Sequence, residues 1–470
     1  MTAIPALIAA LGQPNVLTGP DIAAYTHDWT GKYTARPCAV ARPSTTAEVS
    51  ETLRIAAAHN LALVPAGGRT GLVGGLMTDG GLMVSLDRMN RIRTLRPAAR
   101  VVVAEAGVIL SALHDAAAAE NLFFPLWFGA RGSATLGGVL STNAGGSNVV
   151  RYGSTRALCL GVEVVLADGR VLDLMTELHK DNSGYALKDL FIGAEGTLGI
   201  ITAAVMKLVP APRAHATAMV ALRSLPDALD LLNRLQETTG GAVAAFEYMP
   251  APYMRRLNAV RPDIRLPFDR IHDTAVLVEI ATTIPDQSTP RADGSLPLTD
   301  ALESVLAQML ETGTVLDAEV AKSETQCSLM WQRRELAAEV TFARKPAIDT
   351  DISLPLDQVV AFLAAMEAAL PLIDPGADSL AIAHLGDGNI HYTVFPTRDD
   401  PALSDAVVTK VEDVVQSLRG SFSAEHGVGL SKRASMSRRK DPVALQVMRA
   451  LKTALDPDNR MNPGKVLPDA

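Results

Sequence analysis

Five glycines fall within the eleven residues Pro65-Ala66-Gly67-Gly68-Arg69-Thr70-Gly71-Leu72-Val73-Gly74-Gly75, directly after the strand-like run Ala62–Pro65. Glycine permits positive φ and leaves backbone N–H groups unshielded, and a loop that wraps a pyrophosphate needs both. The segment is not a G-x-G-x-x-G fingerprint, and that pattern occurs nowhere in the chain. A G-x-x-x-x-G-K-[ST] phosphate loop is also missing, so a nicotinamide-binding doubly wound domain and a nucleotide triphosphatase both lose ground.

Two further glycine-rich stretches follow. The first runs from Gly132-Ser133-Ala134-Thr135-Leu136-Gly137-Gly138 through Thr142-Asn143-Ala144-Gly145-Gly146 to Tyr152; the second is Gly193-Ala194-Glu195-Gly196-Thr197-Leu198-Gly199-Ile200. Three such segments joined by strand-like runs such as Leu160–Ala167 fit one large ligand touched from several loops. Helical patterns cover Thr46–Asn60, Asp300–Thr312, Ala321–Ala343 and Leu356–Ala369, and Thr46 with Glu48 and Glu51 supplies helix-start chemistry. Strand patterns recur at Ala216–Leu222 and Ala275–Ile280, and a hairpin pattern at Leu380–Phe395. Prolines at Val209–Pro212 mark a boundary, and Ile284–Pro297 reads as a surface loop. The fold class is α+β: a first domain over 1–212, a second over 213–415 and a C-terminal segment over 416–470.

Charge narrows the partners. With 43 basic and 51 acidic residues the net charge is -8, which leaves no cationic excess for nucleic acid. Lys432-Arg433 and Arg438-Arg439-Lys440 read as a solvated surface. Three scattered cysteines, Cys38, Cys159 and Cys327, form no C-x-x-C pair and fit a reducing compartment. The N-terminus lacks a cationic signal-peptide region, and no apolar stretch of bilayer-spanning length is expected. A cytoplasmic location is expected, with peripheral membrane contact left open.

His384-Leu385-Gly386-Asp387-Gly388-Asn389-Ile390-His391 reads as two strands joined by an Asp387-Gly388 turn, which sets His384 directly opposite His391 on one face. Opposed strand histidines are as often structural as ligating. Glu425, in Ser423-Ala424-Glu425-His426-Gly427-Val428-Gly429, supplies the carboxylate that would complete a His₂Glu set. Neighbours on a strand point opposite ways, so Glu425 and His426 are expected on an irregular loop, which Gly427 and Gly429 permit. Trp331-Gln332-Arg333-Arg334-Glu335 offers a guanidinium suited to a carboxylate.

These segments resemble the vanillyl-alcohol oxidase superfamily, and within it the D-lactate and D-2-hydroxyglutarate dehydrogenases, from Asp28-Trp29 to Asn462-Pro463. The resemblance implies a two-part FAD-binding domain of that type with an α+β cap built on an antiparallel sheet. It implies FAD contacts from Pro65, Gly67, Gly68, Arg69, Thr70, Gly71, Leu72 and Gly74. Further contacts would come from Gly132, Ser133, Thr135, Gly137, Gly138, Thr142, Asn143, Gly145, Gly146 and Tyr152. Glu195, Gly196, Leu198, Gly199, Ile200 and Asn462 complete the set, although a plain turn suits Asn462 equally. The glycine loop holds no His or Cys nucleophile and carries Arg69 where relatives often have Asn, so the FAD is expected to be non-covalent. The resemblance further implies a divalent ion, zinc ahead of manganese or iron, on His384, His391 and Glu425. It points to Arg334 for the substrate carboxylate, and His426 beside the ligand Glu425 is the expected base, with hydride and carbanion transfer to the flavin both left open.

The chain departs from the hydroxyglutarate enzymes at Ala338 and Asp349, where they carry a Thr and a Lys for the distal carboxylate. Asp349 would repel a second carboxylate, and Trp127-Phe128 would widen an apolar contact. The expected substrate is therefore a D-lactate-like or larger monocarboxylic 2-hydroxy acid, with D-2-hydroxyglutarate as the alternative. An oxygen-using oxidase remains a rival reading, as does a non-catalytic flavoprotein subunit. A metallohydrolase built on the His/Glu set is another, but it would leave the glycine segments idle. The electron acceptor (an electron-transfer flavoprotein, a quinone or a cytochrome) and assembly as a homodimer stay open at this level.

Overall fold

Helix-start chemistry and strand alternation set most elements of the computed structural model, which describes residues 3–469. The chain divides into two units. Met1–Gly145, Gly153–Pro210 and Glu425–Ala470 form the first, and Gly146–Tyr152 with Ala211–Ala424 form the second.

In the first unit, β1 (Val16–Leu17), β2 (Ala39–Ala41), β3 (Leu63–Ala66) and β4 (Leu82–Ser85) make a four-stranded sheet in the order β1-β2-β4-β3. The β2/β4 and β4/β3 pairs are parallel. Parallel neighbours need a crossover. The helix Thr46–Ala58 provides it, burying Val49, Leu53 and Ala56 in one core with Leu63 and Leu82. Its cap is Thr45, one residue before the expected Thr46: the Thr45 hydroxyl accepts from the Glu48 N–H at 3.1 Å, and the Glu48 carboxylate accepts from the Ser44 N–H at 2.6 Å. The chain's end adds to β3, where the Leu63 N–H donates to the Arg460 carbonyl and the Asn462 N–H to the Leu63 carbonyl, each at 2.7 Å. A second, antiparallel sheet is built from β5 (Ile92–Arg96), β6 (Val101–Glu105), β8 (Cys159–Val165), β9 (Val171–Leu174) and β10 (Ile200–Lys207), in the order β5-β6-β10-β8-β9. A short pair joins β7 (Leu122–Phe123) to β11 (Val209–Pro210), so strand pairing continues up to the proline break.

The second unit is organised by β12 (Ala214–Leu222), β13 (Val243–Tyr248), β14 (Thr274–Thr282), β15 (Val315–Val320), β16 (Ile348–Ser353), β17 (Asp378–His384) and β18 (Asn389–Phe395). They form one antiparallel sheet in the order β15-β12-β14-β13-β17-β18-β16. Alternation divides its side chains. Ala218, Val220, Val276, Val278, Phe246, Ile390, Val394 and Ile352 share one core with the helices Leu225–Thr239, Pro297–Glu311, Val359–Ile373 and Pro401–Ser417. On the other face Met219, Leu277, Leu380, Ile382 and Phe395 meet Tyr253, Met254, Met330 and Val340.

Three expectations need correction. The helical pattern Ala321–Ala343 breaks at Leu336 into Glu324–Glu335 and Ala337–Phe342. The loop Ile284–Pro297 contains a helical turn, Pro285–Ser288. One helical stretch among the described residues, Leu356–Ile373, is long and apolar enough to cross a membrane, where none was expected. Its Val359, Phe362, Met366 and Leu370 are buried in the sheet's core, which accounts for their apolarity within the fold.

Candidate functional site

Within the first unit the three glycine-rich segments converge. A Cβ added at Gly68 would collide with the Ser133 carbonyl, and one at Gly196 would lie 2.5 Å from Pro65 Cγ, so the segments pack at backbone contact distance, against backbone at Gly68 and against a proline ring at Gly196. Thr135 caps the helix Leu136–Thr142, its hydroxyl accepting from the Gly138 N–H at 3.4 Å, and Gly137 donates to the Ala106 carbonyl at 2.7 Å. From Gly67 to Gly75 the backbone N–H groups donate to no acceptor among the described residues. Asn462, buried at 2%, donates its amide to the carbonyls of Gly75 (3.0 Å) and Glu195 (2.8 Å), while its Oδ1 has no partner among the described residues. The run of unpaired N–H groups fits a polyanionic group such as the FAD pyrophosphate, and the orphaned Asn462 oxygen fits an N–H or O–H donor of the same ligand. Thr142, Gly145, Leu198, Gly199 and Ile200 belong to this unit as well, whereas Gly146 and Tyr152 group with the second. Two other expected contacts are engaged within the protein. Asn143 accepts from Ser154 Oγ at 3.1 Å and from the Arg156 N–H at 2.9 Å. Arg69 donates to the Ala24 carbonyl at 2.9 Å, with its guanidinium 4.5 Å from the Tyr25 ring centroid.

Glu195 has a second task that the sequence did not reveal. Its backbone is left-handed (φ 50°), and its carboxylate accepts from the N–H groups of Val428 (2.7 Å) and Gly429 (2.9 Å). Burial pushes its carboxyl up, against those two hydrogen bonds. The glycine segment thereby clamps the loop of Glu425 and His426, whose Oε1 and Nε2 lie 3.7 Å apart. The loop is irregular, as expected, and turns through positive φ at Gly427 (82°) and Gly429 (48°).

In the second unit a polar row crosses the face shared with Met219 and Leu277. Thr217 on β12 faces Glu279 on β14, Glu247 on β13 faces His384 on β17, and His391 on β18 faces Asp351 on β16. The hairpin differs from the expected one. Its loop is Leu385–Gly388, with Asp387 and Gly388 both donating to the His384 carbonyl, so His384 opposes Asn389 and His391 opposes Ile382. This register is offset by two residues, an even number, so both histidines keep the same face and become diagonal neighbours with ring centroids 5.6 Å apart. Asp351 and His391 offer ligand atoms within 4.8 Å of each other. Asp351 also accepts from Asn389 Nδ2 at 3.0 Å and, through Oδ2, from the Ala424 N–H at 3.2 Å. The next residue along the chain is Glu425.

The helix Glu324–Glu335 is pinned to this row by two carboxylates, the buried Glu247 and the partly buried Glu279. Trp331 Nε1 donates to Glu279 at 2.8 Å, and Arg334 Nε donates to Glu247 at 2.7 Å. Glu247 also meets His384 Nδ1 at 2.8 Å. Its burial would raise its carboxyl, but the charges and hydrogen bonds of His384 and Arg334 prevail and hold it at about 2. Glu279 is likewise held below the usual range despite burial, by bonds from His215, Trp331 and Thr217. Sequence reading missed both glutamates. Each is a lone acid inside an apolar strand, in V-A-A-F-E-Y and V-L-V-E-I-A, and a buried carboxylate always needs a partner. Asp349 shares the face of His391 and accepts from Thr393 Oγ1 at 2.7 Å, while Ala338 is exposed. Trp127 lies beneath the Arg131 guanidinium, 4.0 Å from the ring centroid.

Comparison with known proteins decides the family. The description "FAD binding domain" matches residues 37–175, and "FAD linked oxidases, C-terminal domain" matches residues 211–466. The chain belongs to the FAD-linked oxidases. This FAD-linked oxidase is 36% identical over 461 residues to the mitochondrial D-2-hydroxyglutarate dehydrogenase of Bos taurus, covering 97% of this chain and 80% of that one. It is 34% identical to the D-2-hydroxyglutarate dehydrogenase of Stutzerimonas stutzeri, covering 98% of this chain and 99% of its relative. Among solved structures, p-cresol methylhydroxylase with substrate bound superimposes with a TM-score of 0.74 at 16% identity (98% and 96% covered). The 4-ethylphenol oxidase of Gulosibacter chungangensis gives 0.72 at 19% (99% and 97% covered), and at such identities these likenesses concern the fold alone. The α+β reading with an FAD domain of the vanillyl-alcohol oxidase type is borne out. An FAD-linked oxidase is a flavin-dependent oxidoreductase, so the metallohydrolase reading falls.

Proposed function

We propose that this FAD-linked oxidase dehydrogenates a D-2-hydroxy acid to the 2-oxo acid, with FAD held non-covalently through its glycine-rich segments and a divalent ion on His384, His391 and Glu425. The observation that carries the reading is the row Glu247, His384, His391 and Asp351 beside Arg334, on one face of the sheet in a chain whose relatives are named D-2-hydroxyglutarate dehydrogenases. His₂-carboxylate donors suit zinc best, with manganese or iron also compatible. When bound, FAD supplies the two-electron acceptor and the ion supplies Lewis acidity at the substrate hydroxyl. Arg334 grips the substrate carboxylate, and the imidazole of His426 takes the hydroxyl proton. Electrons then pass to an electron-transfer flavoprotein, a quinone or a cytochrome.

Asp349 supports a monocarboxylic substrate, because an anion on the face of His391 disfavours a second carboxylate. The relatives' names favour the second reading, D-2-hydroxyglutarate. Dye-coupled turnover of matched D- and L-acids tests both. D-acids alone should be oxidised, with D-lactate or a larger monocarboxylate ahead of D-2-hydroxyglutarate. Asp349→Lys should narrow or reverse that ratio by about 10-fold, the worth of one charge contact. Oxidation of L-acids would refute the reading, and D-2-hydroxyglutarate as the best substrate would refute the monocarboxylate preference.

A further inference from the structure

Glu247 is fully buried, and each of its carboxylate oxygens is committed to a different functional side chain. It lies directly across the strand pair from His384. One oxygen meets His384 Nδ1 at 2.8 Å; the other accepts from Arg334 Nε at 2.7 Å. Arg334 Nη2 in turn lies 3.4 Å from His384 Nε2, which closes a three-residue ring. A carboxylate on Nδ1 selects the tautomer with the proton there, so Nε2 carries the lone pair, which accepts from Arg334 Nη2 in this structure and which an ion would engage in its place. The same carboxylate fixes the rotation of the guanidinium. Glu279 already fastens the helix one turn earlier through Trp331, so Glu247 is not needed merely to dock that helix.

We infer that Glu247 is a positioning residue serving two recognition elements at once: it presents Nε2 of His384 to the ion and the guanidinium of Arg334 to the substrate carboxylate, so that ion affinity and substrate affinity change together. This rests on the ion site proposed above. A carboxylate that met only the ion would affect ion binding alone, and an ordinary buried salt bridge would affect stability alone.

The test uses the full-length, FAD-loaded protein and three variants, Glu247→Gln, Glu247→Asp and His391→Ala. Zinc affinity is read by chelator competition, KM and kcat with the best D-2-hydroxy acid of the panel, and flavin content from the visible spectrum. In Glu247→Gln the zinc affinity should fall about 10- to 100-fold, the usual cost of a lost second-sphere partner. KM should rise more than kcat falls, and flavin content should stay at the parental level. Glu247→Asp keeps the charge and should recover part of both losses; if the Gln variant does not fold, the Asp variant carries the test through its joint shift in zinc affinity and KM. Parental zinc affinity and KM in the Glu247 variants, with zinc lost in His391→Ala, would overturn the inference and leave the ion site standing. Equal zinc binding by the parent and His391→Ala would overturn the ion site and this inference with it.

Discussion

Glu195 carries more of the site than any other single residue of the first unit. Its amide donates to the Ser141 carbonyl at 2.8 Å, its carbonyl accepts from Asn462, and its carboxylate holds the loop after Ala424. Removing it would orphan two backbone donors, each worth about 1.5–3 kcal/mol against a charged acceptor. Glu195→Ala should therefore lower the melting temperature and cut kcat roughly 10- to 100-fold by letting the loop of His426, the proposed base, drift, in line with the cost of misplacing such a group. Flavin content should fall far less. Thermal melts, kcat and the visible spectrum check this together, and unchanged kcat would remove Glu195 from the account. The glycine content announced the loop because only glycine fits where backbones touch. The clamp was not legible, since a glutamate in G-A-E-G-T-L-G looks the same whether it turns toward a cofactor or toward a loop more than two hundred residues away.

Among the elements, the helix Glu324–Glu335 shows how a surface-like sequence gains carboxylate partners from a sheet. Its Trp331 and Arg334 lie three residues apart, hence on one face, and each meets a carboxylate from a neighbouring strand. The W-x-x-R spacing was visible in sequence; the acids receiving it were not, because their strands read simply as apolar runs. Glu279 also supplies a pH signature. Its carboxyl sits below the ordinary value of 4.5, so its stabilising contribution is complete above that value and is lost as pH falls through the lower folded value. Glu279→Gln should be less stable than the parent near neutrality, by about 1–3 kcal/mol, and the gap should narrow as pH falls below 4.5. Denaturant melts from pH 7 to 3 measure that gap, and a gap constant with pH would contradict the assignment. The hairpin teaches a related lesson. Its two strands and its histidine face were readable from alternation, but the register was not, because the Asp387–Gly388 signal also suits the longer loop in which the Asn389 N–H donates to Asp387 at 3.1 Å.

At the scale of the whole molecule, the chain enters and leaves the second unit twice, and its last exit falls between Ala424 and Glu425. The peptide that ends on the N–H bound to Asp351 thus continues at once into the proposed ion ligand and base. The order of motifs along the sequence conveyed the family, because the glycine segments, the W-x-x-R helix, the hairpin and E-H-G-V-G each have a recognisable residue pattern. The polar row could not be read the same way: it draws on six strands, and joins such as β13 with β17 link segments distant in sequence that only strand order brings side by side. Flavin and ion are proposed to act together on one D-2-hydroxy acid, and anaerobic flavin bleaching reads both at once. The purified protein, scanned before and after a D-2-hydroxy acid is added, should lose its flavin absorbance. The L-acid should leave it intact, prior chelation should abolish the bleaching, and added zinc should restore it. A protein that stays oxidised with every D-2-hydroxy acid after flavin and zinc loading, or bleaches equally well after chelation, would contradict the claim.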